Sequence, residues 1–383
     1  MKLKLKMKVN WQLVYLFFML MPYLKPYNIT LIPSVDAIFK VWKIVATFFI
    51  IFRFVKKRHI LHVESVYLFI FCAVWGVSLI INEGPIVEYG NNILSILGMV
   101  LLFEVGYKNS IFKKNITCLI YNIGAVYQVL NLITVIQGYP FGAYGIRLND
   151  NANFLGGDNY SAFILIALAG IMFFYDDCYV GKIRRRTWCF SLLGLASLVI
   201  PFAFTGIVSY TLLLLMVVFH KYPIVKKFFK WKYIFAVCLI VILAVSYFHL
   251  DEFLVKMLNS MNKAGFNGRS LIWPMTITAI MKKPILGYGG LTEEQAGTWL
   301  IAGANHAHNF ILQYPFSVGV IGTFFIILYF VKILKGSMQL SNQSCRVLLM
   351  CLSAFMICSF FDFYIGLIYF YLLLEMIWIH KME

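Results

Sequence analysis

Twelve apolar blocks, broken by short polar loops, run along the chain: Trp11–Tyr23, Ala37–Phe54, Ser65–Ile81, Asn92–Val105, Ile116–Ile136, Tyr160–Tyr175, Thr187–Phe202, Gly206–His220, Tyr233–His249, Asn309–Val331, Val347–Phe360 and Tyr364–Ile379. Each predicts a membrane-spanning helix. Several are shorter than the roughly 20 apolar residues that cross a bilayer, a difference that tilting, snorkelling and interfacial flanks absorb. The pattern predicts an all-α, polytopic integral membrane protein of about 12 transmembrane helices, with 1–383 forming a single transmembrane domain. The tightest junction is Phe204-Thr205-Gly206, which leaves little room for a turn between the seventh and eighth blocks.

Two polar segments are long enough to hold chemistry, Gly138–Asp158 and Leu250–His308. The second, 250–308, is expected to be a large extracytoplasmic loop inserted between spans 9 and 10. Within it Ser270–Lys282 predicts a short amphipathic helix, which starts beside Gly268 and ends before Lys283-Pro284. Pro274 fits such a helix only in its first turn. Leu286-Gly287-Tyr288-Gly289-Gly290 then reads as a turn-rich stop.

Composition sharpens this picture. The chain is 61% hydrophobic and only 13% charged, whereas soluble domains carry roughly 25% charged residues. A water-soluble globule is thereby excluded. The net charge of +17 raises the possibility of a nucleic-acid partner. Its distribution argues against one, because the basic residues sit in short clusters between apolar blocks, such as Lys56, Lys57 and Arg58, or Arg184, Arg185 and Arg186. These clusters recur at every second loop, as the positive-inside rule requires. Counting them puts both termini in the cytoplasm and leaves only Lys25, Lys40, Lys43, Arg147, Lys256, Lys263, Arg269, Lys282 and Lys283 outside. The basic start and the apolar run Leu13–Met21 resemble a signal peptide, but Pro22, Lys25 and Pro26 follow in place of a small-residue cleavage site. This segment therefore reads as an uncleaved first span.

The candidate chemistry gathers on the outer side. His308, flanked by Asn305 and Asn309, could accept a proton from a hydroxyl near neutral pH; the alternative is an interfacial histidine at a helix start, with Asn309 as its cap. His306 is a second candidate. His-x-His can supply two metal ligands, but no third lies nearby in sequence, so no metal or other cofactor is expected. Arg269 opens the Ser270–Lys282 helix, where a guanidinium fork and free backbone N–H groups suit a phosphate; a lipid-headgroup contact is the alternative. Arg147 is the basic residue of the Gly138–Asp158 loop, with Asp150 and Asp158 close enough to neutralise it. Lys282 and Lys283 suit anionic lipid, and Glu293 and Glu294 a solvated face. Asp362 lies between the last two spans. Glu104 and Glu375 fall in or near spans, where acids invite functional suspicion and keep a proton-coupled transporter open.

Four motifs in order carry a resemblance: Gly268-Arg269-Ser270-Leu271-Ile272-Trp273, Pro284-Ile285-Leu286-Gly287-Tyr288-Gly289, His306-Ala307-His308-Asn309-Phe310-Ile311-Leu312-Gln313 and Gly319-Val320-Ile321-Gly322. Together with Phe154-Leu155-Gly156-Gly157-Asp158-Asn159 they resemble the O-antigen ligase and polymerase superfamily. Within it, the chain looks most like capsular oligosaccharide repeat-unit polymerases of Wzy type. The resemblance implies a metal-independent glycosyltransferase of the bacterial plasma membrane with an extracytoplasmic active site. The implied donor and acceptor are oligosaccharides on undecaprenyl pyrophosphate, with the bilayer and a chain-length regulator as further partners. It assigns His308, with His306, to catalysis, Arg269 and Arg147 to the pyrophosphate, and Asn309, Trp273, Asp158 and Asn159 to other substrate contacts. Arg147 lies some distance ahead of Leu155–Asn159, which departs from the usual placement. A ligase with a different acceptor is the near rival, and a lipid-linked oligosaccharide flippase the distant one. A shared outer pocket for His308 and Arg269 favours transfer, whereas a midplane site favours transport.

Overall fold

The computed structural model describes residues 10–138, 141, 153–220, 222, 269–300, 304, 306–339 and 345–381. Its α-helices are α1 (Trp11–Leu20), α2 (Pro33–Lys56), α3 (Val63–Ile81), α4 (Ile86–Gly106), α5 (Ser110–Gln137), α6 (Asp158–Tyr175), α7 (Arg185–Val199), α8 (Phe204–Phe219), α9 (Arg269–Lys282), α10 (Glu293–Gly297), α11 (Phe310–Gln339), α12 (Cys345–Phe361) and α13 (Ile368–Lys381). No strand occurs among the described residues. The chain is an all-α polytopic membrane protein.

Every expected span has its helix except Tyr233–His249, which lies outside the described residues. Five helical segments among the described residues are long and apolar enough to cross a bilayer, led by Phe310–Lys335 and Val63–Ile81. Others, such as α12 at 17 residues and α13 at 14, are shorter. Their burial explains why short helices suffice. Nearly every described residue of α6, α12 and α13 is shielded by neighbouring helices, so protein rather than lipid surrounds them. The outward face of α2 is the opposite case, with Val41, Val45, Phe48, Phe52 and Val55 exposed as a lipid-facing stripe and only Lys43, Ala46, Thr47 and Ile50 turned inward.

The sharp junction between α7 and α8 is made by Phe202, which takes a left-handed φ of 57° while Ala203 N donates to Leu198 O at 2.9 Å. The short link is therefore a true interhelical turn. In α9 the structure differs from expectation. The helix begins at Arg269, so Pro274 falls beyond the first turn and removes an internal hydrogen bond.

Helix α11 is broken at Gly319, whose φ of 60° and ψ of −167° are not helical. The segment Pro284–Gly289 supplies the missing partners. Val320 N donates to Pro284 O at 2.8 Å and Ile321 N to Ile285 O at 3.4 Å, while Tyr288 N donates to Phe316 O at 2.9 Å and Gly289 N to Ser317 O at 2.7 Å. Within a bilayer a broken helix persists only where protein satisfies the freed backbone groups. A Cβ at Gly319 would lie 2.2 Å from Ile285 O, and one at Gly287 would lie 2.6 Å from Phe316 O, so both residues must be glycine for the two backbones to approach.

The two ends of the bundle differ in chemistry. At one end Arg184 Nε donates to Asp176 Oδ1 at 2.6 Å, Arg346 Nη1 to His220 O at 3.1 Å, and Lys381 Nζ to Lys332 O at 2.9 Å. Glu104, suspected from its place near a span, is held there by His62 Nδ1 at 2.8 Å and by Ser65. Glu375 sits deeper, accepting from Tyr329 Oη at 2.7 Å. The opposite end carries the starts of α6, α8, α9 and α11 and the turn between α12 and α13.

Candidate functional site

At that opposite end, four elements distant in sequence meet at the Phe360–Asp362 turn. Asp362 is buried, and its two oxygens are divided. Oδ1 accepts from His306 Nε2 at 2.9 Å and from His308 Nδ1 at 3.0 Å, and Oδ2 accepts from Asn159 Nδ2 at 3.1 Å. Arg269, the first residue of α9, donates from Nε to the adjacent Phe361 O at 2.6 Å. His308 and Arg269, which the sequence places 39 positions apart by number, thus share one anchoring turn.

Local chemistry explains why the His306–Asn309 segment folds this way. Asn309 caps α11, with Oδ1 accepting from Ile311 N at 2.9 Å and Leu312 N at 3.2 Å, and its amide reaches Phe360 O at 2.9 Å. Gln313, one turn into α11, accepts from Ala307 N at 2.7 Å and donates to Ser317 Oγ at 2.7 Å. His308 itself takes a left-handed φ of 49°. A non-glycine residue in that region carries a local cost of order 1–3 kcal/mol. The costly conformation occurs at the residue whose imidazole meets the carboxylate.

Charge states follow from the contacts. Burial raises the Asp362 carboxyl, but the hydrogen bonds from His306 and His308 outweigh it and hold the group well below its ordinary range. It is therefore an anion that only accepts, and both facing imidazole nitrogens carry a proton. Burial, reinforced by His308, pushes His306 below its ordinary value, so it sits as a neutral donor. The imidazole rings of His306 and His308 lie 3.7 Å apart between centroids, and the Tyr364 ring is 4.3 Å from that of His306. His308 is the more exposed of the two, and its Nε2 makes no hydrogen bond among the described residues. Burial also lowers the Arg269 guanidinium from its ordinary value, with Asp362 and Tyr364 opposing the shift; it remains a cation.

His306, His308 and Asp362 each offer one ligand atom, all within 4.8 Å of one another. Two nitrogens here donate N–H to the carboxylate, and a nitrogen that carries its proton has no lone pair for a metal. With those bonds in place, His306 Nδ1 and His308 Nε2 are the ring nitrogens that keep a lone pair. The sequence offered no third ligand near His306 and His308, and folding brings Asp362 to them.

The remaining sequence candidates divide. Asn159 reaches the site as a support of Asp362. Asn309 is a cap and a tether. Trp273 is fully buried, with its ring edge-on to Phe360 at 5.7 Å, and packs beneath the turn. Arg147 and the side chain of Asp158 lie outside the described residues, as does Asn305. Lys282 lies over the Trp299 ring and Lys283 over Tyr288, while Glu293 and Glu294 are exposed on α10. Sequence reasoning left Asp362 and Gln313 without roles. The available signal for Asp362 was its position, an acid set between two apolar spans of a chain with only 16 acidic residues.

These features define a multi-pass helical membrane protein with an imidazole–carboxylate pair and a guanidinium clustered at one end of its bundle. Residues 203–327, a stretch that includes Arg269 and His308, are similar to the O-antigen ligase family. Comparison with curated proteins gives no match.

Proposed function

We propose that the protein is a glycosyltransferase that joins oligosaccharide repeat units carried on undecaprenyl pyrophosphate into a surface polysaccharide, at the outer face of the bacterial plasma membrane. The observation that carries this reading is the convergence of His308 and Arg269 on the Phe361–Asp362 turn. The match of residues 203–327 to O-antigen ligases supports glycan transfer as the chemistry. The basic end of the bundle, bearing Arg184, Arg346 and Lys381, suits the cytoplasm, which supports an outer position for the site. A site made from helix ends and loops also suits transfer at a membrane surface better than transport through a midplane cavity.

In the reaction, the acceptor hydroxyl oxygen forms a bond to the anomeric carbon of the donor. The bond from that carbon to the pyrophosphate oxygen breaks, and its electron pair leaves with undecaprenyl pyrophosphate. His308 Nε2 takes the hydroxyl proton. Asp362 fixes the required tautomer through Nδ1 and stabilises the imidazolium that forms. Arg269 sets its charge against the departing pyrophosphate, where negative charge grows most in the transition state. A base of this kind contributes about 10²–10⁴-fold. His306 supports the carboxylate, and Arg147 is a second candidate clamp.

Ligation to a different acceptor is the second reading, because O-antigen ligases are the matched family. Purified protein in nanodiscs, given the lipid-linked repeat unit alone, separates the two. Polymerisation yields a ladder of lipid-linked multimers. Absence of multimers, with transfer appearing only when a different acceptor is added, replaces polymerase with ligase, and absence of transfer to any acceptor rejects both.

A further inference from the structure

A cleft of ≈ 330 Å³ opens between the turn joining α3 to α4 and the segment Tyr288–Trp299. We propose that it is a saccharide subsite, which holds one or two sugar rings of the glycan whose transfer occurs at His308; this rests on the transferase reading above. Its size lies at the small end of the roughly 300–1,000 Å³ usual for small-molecule sites.

The lining has the two chemistries that a pyranose needs. Trp299, half-buried, supplies aromatic surface and is backed by the buried Tyr288, with ring centroids 4.9 Å apart at 49°. Such rings pack against the C–H face of a sugar, while polar groups around them meet its hydroxyls. Glu83 and Gln295 provide those groups. The Glu83 carboxylate is exposed and makes no ion pair among the described residues, so it is available to accept from hydroxyls. Glu83 and Lys283 offset each other in the lining, and Lys282 stands over the Trp299 ring.

The walls are fixed in advance. Asn82 Nδ2 donates to Gly287 O at 3.1 Å, and Asn82 Oδ1 accepts from Lys283. Tyr288 is fastened at both ends, by its backbone N–H to Phe316 and by its hydroxyl to Ala279 O at 3.1 Å. Thr292 and Gln295 form a capping box that starts α10, and Gln295 Nε2 reaches Glu83 O at 3.4 Å. A preformed site loses less freedom when it is occupied.

The wall of the cleft shares one packed cluster with the reacting end. Tyr288, Leu300, Ala304, Ala307 and Phe360 belong to one apolar cluster, against which Trp299 packs. Ala307 separates His306 from His308, and Phe360 precedes the turn that bears Asp362. A glycan seated in the cleft therefore rests on the same packed body that positions the base.

The test uses full-length protein in nanodiscs with the lipid-linked repeat unit, and the free repeat-unit oligosaccharide as competitor. In Trp299→Ala, KM for the lipid-linked unit and the inhibition constant of the free oligosaccharide should each rise about ten-fold, with kcat within two-fold of wild type. Trp299→Phe should keep KM within three-fold of wild type, and Glu83→Gln should raise it. An unchanged KM and inhibition constant in Trp299→Ala, or a fall in kcat with KM constant, overturns the subsite while leaving the transferase reading intact. Failure of the wild-type protein to transfer overturns the transferase reading, and the subsite with it.

Discussion

His308 and Asp362 face each other at 3.0 Å, Nδ1 to Oδ1, across 54 positions of sequence. On the proposed mechanism the contact makes the imidazole a directed base, because the nitrogen that holds the proton is fixed and the other is left for the acceptor. Asp362→Asn keeps the shape of the contact but removes the anion. Transfer should fall about 10²–10⁴-fold, the range for losing a general base or its tautomer, with protein level in the membrane near wild type. Wild-type turnover of the Asn variant in the nanodisc assay refutes the pairing.

His308→Ala should abolish chain extension while single lipid-linked repeat units still accumulate. Full-length polymer on a gel of the mutant's surface glycan removes His308 from the mechanism.

Arg269→Lys should be nearly as inactive as Arg269→Ala. A lysine can neither reproduce the Nε bond to Phe361 O nor present a planar fork to phosphate. Recovery of most activity in the Lys variant shows that a point charge suffices.

Burial holds His306 below its ordinary value, so the folded protein resists the proton that the unfolded chain accepts near pH 6.5. Stability contributed by neutral His306 is therefore present above that pH and declines as pH falls below it, by at most about 1.4 kcal/mol per pH unit for one proton. Asp362 acts in a separate window. Its depressed value gives stability that is complete above the ordinary carboxylate range and is lost only as pH drops through the lowered value. Thermal melts in detergent between pH 7 and pH 5 should show falling stability in wild type and a flatter profile in His306→Gln. Equal slopes contradict the assignment.

Gly319→Ala should destabilise the protein by about 2 kcal/mol or more, since it combines a left-handed φ with contact against the Ile285 carbonyl. An unaltered melting temperature shows that the break in α11 tolerates a side chain.

Much of this was legible in the sequence. Apolar blocks located the helices, because a bilayer forces the backbone to satisfy itself within each segment. The motifs around Arg269 and His308 pointed to one surface. Three features were not readable. Pro284–Gly289 and Gly319–Gly322 appeared as separate motifs, and only folding shows them exchanging hydrogen bonds across a broken helix. Asp362 looked like an isolated acid because its partners lie at residues 159, 306 and 308. Trp273 looked like a substrate contact because local sequence does not disclose that Phe360 covers it.

The order in which the site residues occur also bears on biogenesis. Asn159, Arg269 and His308 leave the ribosome before Asp362, and the carboxylate takes its place only once α12 and α13 have been threaded into the membrane around it. On the proposed mechanism, a nascent chain that already displays its histidines still lacks the carboxylate that orients them, and it gains that partner only when the link between α12 and α13 has formed.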